Sequence, residues 1–476
     1  MATELRHFLQ LSYEELEEKN LAAKEQRKNR VAPHKIQEER LKYLTDTKEI
    51  KAVTVMFSDL EGRLHMLDYD KKFLTKSWDN LTFDGSSIRG FTAQHESDLR
   101  LGMDWSAFYW APSDFFGSGK VLVFGEVIDK DGSPFIADMR GVLKQYANSQ
   151  HEKNDYTLNA ANEIEGFLFK GVDAERHYSE TGKFEYVNTG GYYHSLPGDQ
   201  LRSFIDTVAE VQRAMGFQNE KDHPEVAPSQ FEINYTYGDV VTAADQIQLY
   251  KLICREVATK MGMTSSFLPK PVVGVNGSGM HTNVSITKGG KNIFWDPKGE
   301  EKISKFAWSF VDRILVHGND ICLPLNPSVN AYRRLDPHFE APNQIKASAV
   351  DRGSMVRVPI GNEKSARIEV RSVAPDANPY MVLYSVFKTG LDGDAPKIKN
   401  IRQAERYLPD NIYDAMANFT AADWTTTLFG ADVKARFADL KKASADRCPR
   451  LLGTIVKAPE VQFHHEIYNQ YLWNQF

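Results

Sequence analysis

The run Lys364-Ser-Ala-Arg367-Ile-Glu369-Val-Arg371 alternates charged and apolar side chains with the two-residue period of a strand. Arg367, Glu369 and Arg371 then share one face, while Ile368 and Val370 point the other way into a core. Taken alone, the run reads as a salt-bridged exposed strand, but the pattern recurs. Glu163 and Glu165 share a face in Asn162-Glu-Ile-Glu-Gly-Phe-Leu-Phe. In Glu225-Val-Ala-Pro-Ser-Gln-Phe-Glu232, the first acid precedes a proline-marked turn and the second lies at the start of a strand. A glycine turn, Asn276-Gly-Ser-Gly, leads into a strand with His281, Asn283 and Ser285 on one face. Five carboxylates and one histidine are therefore candidates for a common cavity on a charged sheet surface.

A chain of 476 residues can bury a large core and is long enough for two or three domains. Its formal charge of -6 provides no global basic field to recruit nucleic acid or an anionic membrane. Cys254, Cys322 and Cys448 are scattered and odd in number, which argues against a disulfide framework or zinc ribbon and suits a reducing compartment. The start, Met-Ala-Thr-Glu-Leu-Arg-His, lacks a signal-like apolar region, and no apolar run reaches ~18 residues. The expectation is a soluble cytoplasmic protein.

Residues 1–48 are rich in Glu, Lys, Arg and Gln, with a capping box at Ser12-Tyr-Glu-Glu15 and a second helix starting near Pro33. This extension reads equally as a partner-contacting arm or a solvated helical hairpin. Val53, Val55 and Phe57 then alternate, Asp59-Leu-Glu-Gly62 forms a turn, and a return strand follows. This small sheet domain, residues 49–136, closes after a strand at Lys120 and the Asp129-Lys-Asp-Gly132 turn. A helix near Asp138 opens a larger α+β domain, residues 137–476, with helices over 200–216, 243–261 and 301–318.

Common nucleotide loops are absent. Gly117-Ser-Gly119-Lys120 has Asp114 where a P-loop needs its first glycine and Val121 where it needs Ser or Thr. Gly277-Ser-Gly279 lacks the third glycine of a dinucleotide fingerprint. Any ATP site must be built from side chains, and Arg333, Arg334, Arg352, Arg357, Lys364, Arg367 and Arg371 offer a dense supply. Such clustering suits several phosphates and a carboxylate held while negative charge moves between oxygens. Oxygen-rich acids with one histidine suit Mg²⁺ or Mn²⁺ better than zinc.

Several blocks closely resemble glutamine synthetases of the bacterial and archaeal type I family. They are Phe83-Asp-Gly-Ser-Ser-Ile88, Asn162-Glu-Ile-Glu-Gly-Phe, Gly190-Gly-Tyr192, Glu225 through Glu232, Lys270 through His281, Asn326 through Pro342, and Arg367 through Tyr380. The resemblance implies a small N-terminal β-grasp domain followed by a large catalytic domain with a curved antiparallel sheet flanked by helices. It also implies a dodecamer of two hexameric rings with active sites between subunits.

By that resemblance, Glu165, Glu225 and Glu232 hold one divalent metal, and Glu163, His281 and Glu369 hold a second. Asn276, Gly277, Arg334 and Arg371 match the glutamate-binding set. Arg352, Arg357, Lys364 and Arg367 match residues that neutralise ATP phosphates, with Glu220 and Ser285 at nucleotide-contacting positions. Asp84 of an adjacent subunit matches the proton acceptor for ammonium, and Ser87, Tyr192, Glu225 and Glu340 surround that pocket. Glu340 would also close the site against water. The implied reaction joins ammonia to the γ-carboxylate of L-glutamate at the expense of ATP.

Some positions depart from the pattern. Asn283 replaces a frequent histidine, Phe91 an aromatic that is often Trp, and Asp351-Arg-Gly-Ser-Met the commoner Asn-Arg-Ser-Ala-Ser. Tyr413 lies in Asn411-Ile-Tyr-Asp-Ala-Met instead of the usual setting of an adenylylated tyrosine, and reads as a packed loop residue. A relative that ligates a larger amine, such as a polyamine, need not keep Asp84, Ser87, Tyr192 and Glu340. A catalytically dead structural relative would lack metal acids or phosphate arginines, and none is missing.

Overall fold

A computed structural model describes residues 11–335, 341–398 and 400–455. The chain opens with α1 (Tyr13–Lys28) and α2 (Pro33–Asp46). Ser12 Oγ accepts from Glu15 N at 3.2 Å and Glu15 Oε2 accepts from Ser12 N at 2.9 Å, which is the reciprocal cap that their spacing predicts. Pro33 stands in the first turn of α2, where its missing N–H costs nothing.

This extension is not a solvated hairpin. Leu16, Asn20, Ala23, Ile36, Arg40 and Leu44 are buried against the rest of the chain. Asn20 Nδ2 donates to Trp110 O and Ala214 O, each at 2.8 Å, and its Oδ1 accepts from Trp110 N at 3.0 Å. Asn20 is a buried polar side chain satisfied by distant backbone, a docking contact that no hydrophobic period advertises.

The small domain contains β1 (Ala52–Ser58), β2 (Leu64–Asp70), α3 (Lys71–Ser77), β3 (Leu81–Asp84), β4 (Asp98–Trp110), α4 (Ser113–Phe116) and β5 (Lys120–Ile128). Its sheet runs β2-β1-β5-β4-β3, with β1 parallel to β5. Beneath the alternation in β1, both faces are buried, Thr54, Met56 and Ser58 as well as Val53, Val55 and Phe57. The turn after β1 needs Gly62, whose φ is +91° and where an added Cβ would lie 2.6 Å from Asn378 Cα.

The large domain follows with α5 (Met139–Asn154), β6 (Tyr156–Lys170), α6 (Ala174–Thr181), α7 (Gln200–Ala214), β7 (Asn219–Pro224), β8 (Gln230–Tyr235), β9 (Gly238–Asp239), α8 (Val240–Lys260), β10 (Met263–Ser266) and β11 (Met280–Lys288). It continues through β12 (Lys291–Asn292), α9 (Lys305–Val316), α10 (Cys322–Leu325), α11 (Val329–Arg334), β13 (Gln344–Ser348), β14 (Ser354–Arg357), β15 (Ile368–Val370), α12 (Pro379–Asp392), α13 (Ile412–Ala421) and α14 (Asp423–Ile455). The main sheet path is β13-β14-β15-β11-β6-β8-β7, antiparallel except for β13 with β14. The predicted helices at 243 and 301 begin elsewhere. Asp239 caps α8, accepting from Thr242 N at 3.1 Å, and Ser304 caps α9 after a 3₁₀ turn that bends at Glu301.

A buried ionic node joins the extension, the small sheet and three helices of the large domain. Arg140 donates to Asp245 at 2.8 Å and to Asp104 at 2.9 Å, Arg27 lies 3.3 Å from Asp245, and Tyr380 Oη donates to Asp245 Oδ1 at 2.8 Å. Among the described residues, no helix is long and apolar enough to cross a membrane.

Candidate active site

Strand register gathers the charged residues. Glu163 on β6 lies opposite His281 on β11, and Glu165 lies opposite Glu232 on β8. Glu232 in turn lies opposite His223 on β7, while Glu369 on β15 faces Asn283 on β11 and Arg357 on β14. Directly opposed residues in a ladder project to the same side, so pairing converts four separate motifs into one polar face.

Two groups of three donors result, Glu163 with His281 and Glu369, and His223 with Glu225 and Glu232, each with ligand atoms within 4.8 Å of one another. His281 Nδ1 stands 3.8 Å from both Glu163 Oε2 and Glu369 Oε1. His223 Nδ1 stands 3.5 Å from Glu225 Oε1 and its Nε2 3.6 Å from Glu232 Oε1. The first group matches the expected set. The second contains His223 in place of Glu165, whose Oε2 accepts from Gly279 N at 2.7 Å. Sequence reasoning missed His223 because the polar strand Asn219–Pro224 carries no apolar alternation. The available signal was an ionisable residue two before Glu225.

The carboxylates strain against one another. Burial, then the charges of Glu225 and Glu232, push Glu165 well above the usual range. Burial, then Glu163 and Glu225, raise Glu232 to about 8, and burial also raises Glu225. For Glu163, burial opposes ionisation, but His281, Asn283 and Lys221 carry the pKa down to about 2. Burial, then Arg371, lowers His281, keeping its ring neutral and able to donate a lone pair. A crowded set of buried carboxylates with neutral imidazoles fits divalent cations, which relieve the repulsion that otherwise forces protonation.

The arginines occupy defined places. Arg357 Nη1 donates to Glu369 Oε2 at 2.8 Å, and Arg371 Nη1 to Glu369 Oε1 at 2.5 Å. Arg367 Nε donates to Asn283 Oδ1 at 2.9 Å, while Asn283 Nδ2 donates to Glu163 Oε1 at 3.1 Å. Arg334 is buried, donating to Val373 O at 3.1 Å and Arg371 O at 3.0 Å, and burial lowers its pKa to about 10. Arg352 and Lys364 are exposed, and the Arg352 charge bears on Glu225.

The remaining candidates are spread more widely. Gly277 O accepts from Gln230 Nε2 at 3.0 Å, which ties the Asn276–Gly277 turn to β8. Ser285 lies opposite Asn159, and exposed Glu220 falls at a register irregularity between Asn219 and Lys221. Tyr192 stacks on Tyr193 with centroids 3.8 Å apart and meets the His223 ring edge-on at 5.5 Å. Asp84 is exposed, accepting from Ser86 Oγ at 2.6 Å and Ser87 Oγ at 2.7 Å. Its side-chain hydrogen bonds among the described residues stay within its own loop. Glu340 lies outside the described residues.

A small sheet domain is followed by a large sheet with a face of carboxylates and arginines, the arrangement of a two-domain protein with an acid-rich candidate active site. The model of the glutamine synthetase catalytic domain matches residues 136–452, and that of the glutamine synthetase β-grasp domain matches residues 49–130. The chain belongs to the glutamine synthetase family.

It is 38% identical to the glutamine synthetase of Staphylococcus epidermidis over 384 residues, covering 79% of this chain and 82% of that one. It is also 38% identical to the Methanosarcina mazei glutamine synthetase over 356 residues, covering 74% and 77%. Among solved structures, ligand-free GmaS aligns with TM-score 0.73 at 25% identity, covering 85% of this chain and 94% of that one. Plasmodium falciparum glutamine synthetase shares the fold, with TM-score 0.78 at 20% identity over 89% and 97% of the two chains.

Proposed function

We propose that this chain catalyses ATP-dependent ligation of ammonia to the γ-carboxylate of L-glutamate, giving L-glutamine, ADP and phosphate. The observation that carries this reading is the pair of three-donor groups, the first of them bonded to Arg357 and Arg371 through Glu369 and linked to Arg367 through Asn283. Glu163, His281 and Glu369 would hold one Mg²⁺ or Mn²⁺, and Glu225 and Glu232, with Glu165 or His223, another. When bound, these ions supply charge neutralisation for the transferring phosphate.

The chain's own groups bind and orient the substrates. Asn276, Gly277, Arg334 and Arg371 are assigned to glutamate, whose γ-carboxylate attacks the terminal phosphate of ATP and releases ADP. Arg352, Arg357, Lys364 and Arg367 are assigned to the phosphates, with Glu220 and Ser285 toward the nucleotide. The γ-glutamyl phosphate so formed carries a good leaving group. Ammonium docks near Ser87, Tyr192, Glu225 and Glu340 and loses a proton to Asp84. The resulting ammonia then attacks the activated carbonyl and expels phosphate.

Because the side-chain hydrogen bonds of Asp84 among the described residues stay within its own loop, we assign it to the active site of a neighbouring subunit in a ring oligomer, a dodecamer by resemblance. The test measures phosphate release with ATP, Mg²⁺ and glutamate, comparing ammonium with putrescine and identifying the product by mass. Ammonium-dependent glutamine is expected. Activity only with the larger amine would keep the phosphate assignments and overturn the ammonium pocket.

A further inference from the structure

We infer that Glu61 is a positioning residue for the Asp84 loop, acting through Arg89. This inference rests on the proposed role of Asp84 as proton acceptor. Glu61 sits in the turn after β1 and its side chain is 2% exposed. One oxygen, Oε1, accepts from Lys441 Nζ on α14 at 2.7 Å, and the other, Oε2, lies 2.9 Å from Arg89 Nη1. Burial opposes ionisation of Glu61, but Lys441 and Arg89 hold its carboxyl below the usual range, so it stays an anion. Removing that charge would leave two cations facing each other without their shared counterion.

The turn carrying Glu61 is itself held from two sides. Asn378, the cap of α12, donates to Asp59 O at 3.3 Å and Leu60 O at 3.1 Å. Gln248 on α8 donates to Ser58 Oγ and Gly62 O, each at 2.8 Å. The backbone under Glu61 is therefore anchored to the large domain.

Arg89 lies five residues after Asp84, at the far end of the same loop. The near end is pinned by Gly85 N donating to Ser97 O at 2.6 Å. At the far end Gly90 has φ +81° and packs so closely that an added Cβ would lie 2.8 Å from Leu440 and 2.9 Å from Leu60. Arg436 donates to Phe91 O, and the Phe91 ring packs against Phe57 and Phe135. Between these anchors the side chains of Asp84 and Ser87 are exposed, while Gly85 beneath them is buried. On its C-terminal side the exposed stretch is followed by the ion pair from Arg89 to Glu61, a polar tether to the turn after β1. A loop that delivers a carboxylate to a neighbouring subunit needs such a tether, because small displacements of a reacting group carry large rate penalties.

The experiment compares Glu61→Gln, Arg89→Gln, the double variant and Asp84→Asn in the full-length oligomer, measuring KM for ammonium, glutamate and ATP with kcat. Amide exchange of residues 84–91 is followed in parallel. Glu61→Gln and Arg89→Gln are each expected to raise the ammonium KM roughly ten-fold or more. Glutamate and ATP KM should stay within about two-fold, exchange at 84–91 should quicken, and the double variant should be no worse than either single one. A merely structural role would instead lower thermal stability while moving all three KM values together or none.

Arg89 is partly exposed, so its substitution keeps the test open if Glu61→Gln fails to fold. Unchanged ammonium KM and exchange in Arg89→Gln, with Asp84→Asn inactive, would overturn this inference alone. Full synthesis by Asp84→Asn would overturn both the acceptor role and the inference built on it.

Discussion

His223 lies directly across the β7–β8 ladder from Glu232, its Nε2 3.6 Å from the Glu232 carboxylate and without a hydrogen-bond partner among the described residues. A buried imidazole aimed at two glutamates contributes either a metal ligand or a group that orients one. His223→Ala is expected to raise the Mg²⁺ concentration for half-maximal synthesis by roughly 10–100-fold. Metal titration of activity checks this, and an unshifted curve would remove His223 from the site.

Asn283 uses both ends of its amide, accepting from Arg367 and donating to Glu163. Asn283→Asp keeps the acceptor but replaces the donor with a negative charge facing Glu163. We expect kcat/KM for ATP to fall by roughly ten-fold or more, the cost of an unpaired buried group and a like-charge contact. Steady-state kinetics with ATP as the varied substrate decides it.

Asp138 caps α5 and accepts from Val127 N at 2.9 Å across the junction between the two sheets. Burial, partly offset by the Val127 hydrogen bond, raises its carboxyl from 3.8 to about 6. Between those values the folded chain keeps a proton that the unfolded chain has released, so this group's contribution to stability falls as pH rises through the window. Each ten-fold difference in proton affinity between the folded and unfolded chain is worth about 1.4 kcal/mol. Asp138→Asn should flatten the dependence of unfolding temperature on pH between 4 and 6, and an unchanged slope would show that the slope comes from other groups.

Asn20 stitches the N-terminal extension to both domains through Trp110 and Ala214. Asn20→Ala would strand those buried backbone groups and is expected to cost about 2–4 kcal/mol. Chemical denaturation of the full-length protein measures the loss. A change within experimental error would mean that water replaces the amide.

Much of the local structure was legible. The capping box at Ser12, the Pro33 start, the Asp59–Gly62 turn and the strands around Glu163, His281 and Glu369 depend on near neighbours, and each formed where its pattern pointed. Helix starts were less accurate at α8 and α9, since Asp239 and Ser304 outcompeted the positions that periodicity alone suggested. His223 was hidden because an edge strand of polar residues has no hydrophobic period to mark it. The docking of α1 was hidden because its key contact is an amide bonded to backbone 90 and 194 residues away.

By itself the sequence determined which side chains share a strand face, since alternation is built into the extended backbone and needs no partner. It also carried enough pattern over residues 49–130 and 136–452 to match both domains of the glutamine synthetase family. Only the tertiary structure decided that Glu232 sits between Glu165 and His223, that Arg357 and Arg371 share Glu369, and that Glu61 links Arg89 to Lys441. Those relations depend on strand register and on burial, which are set by packing between residues far apart in the chain and leave no period in the sequence.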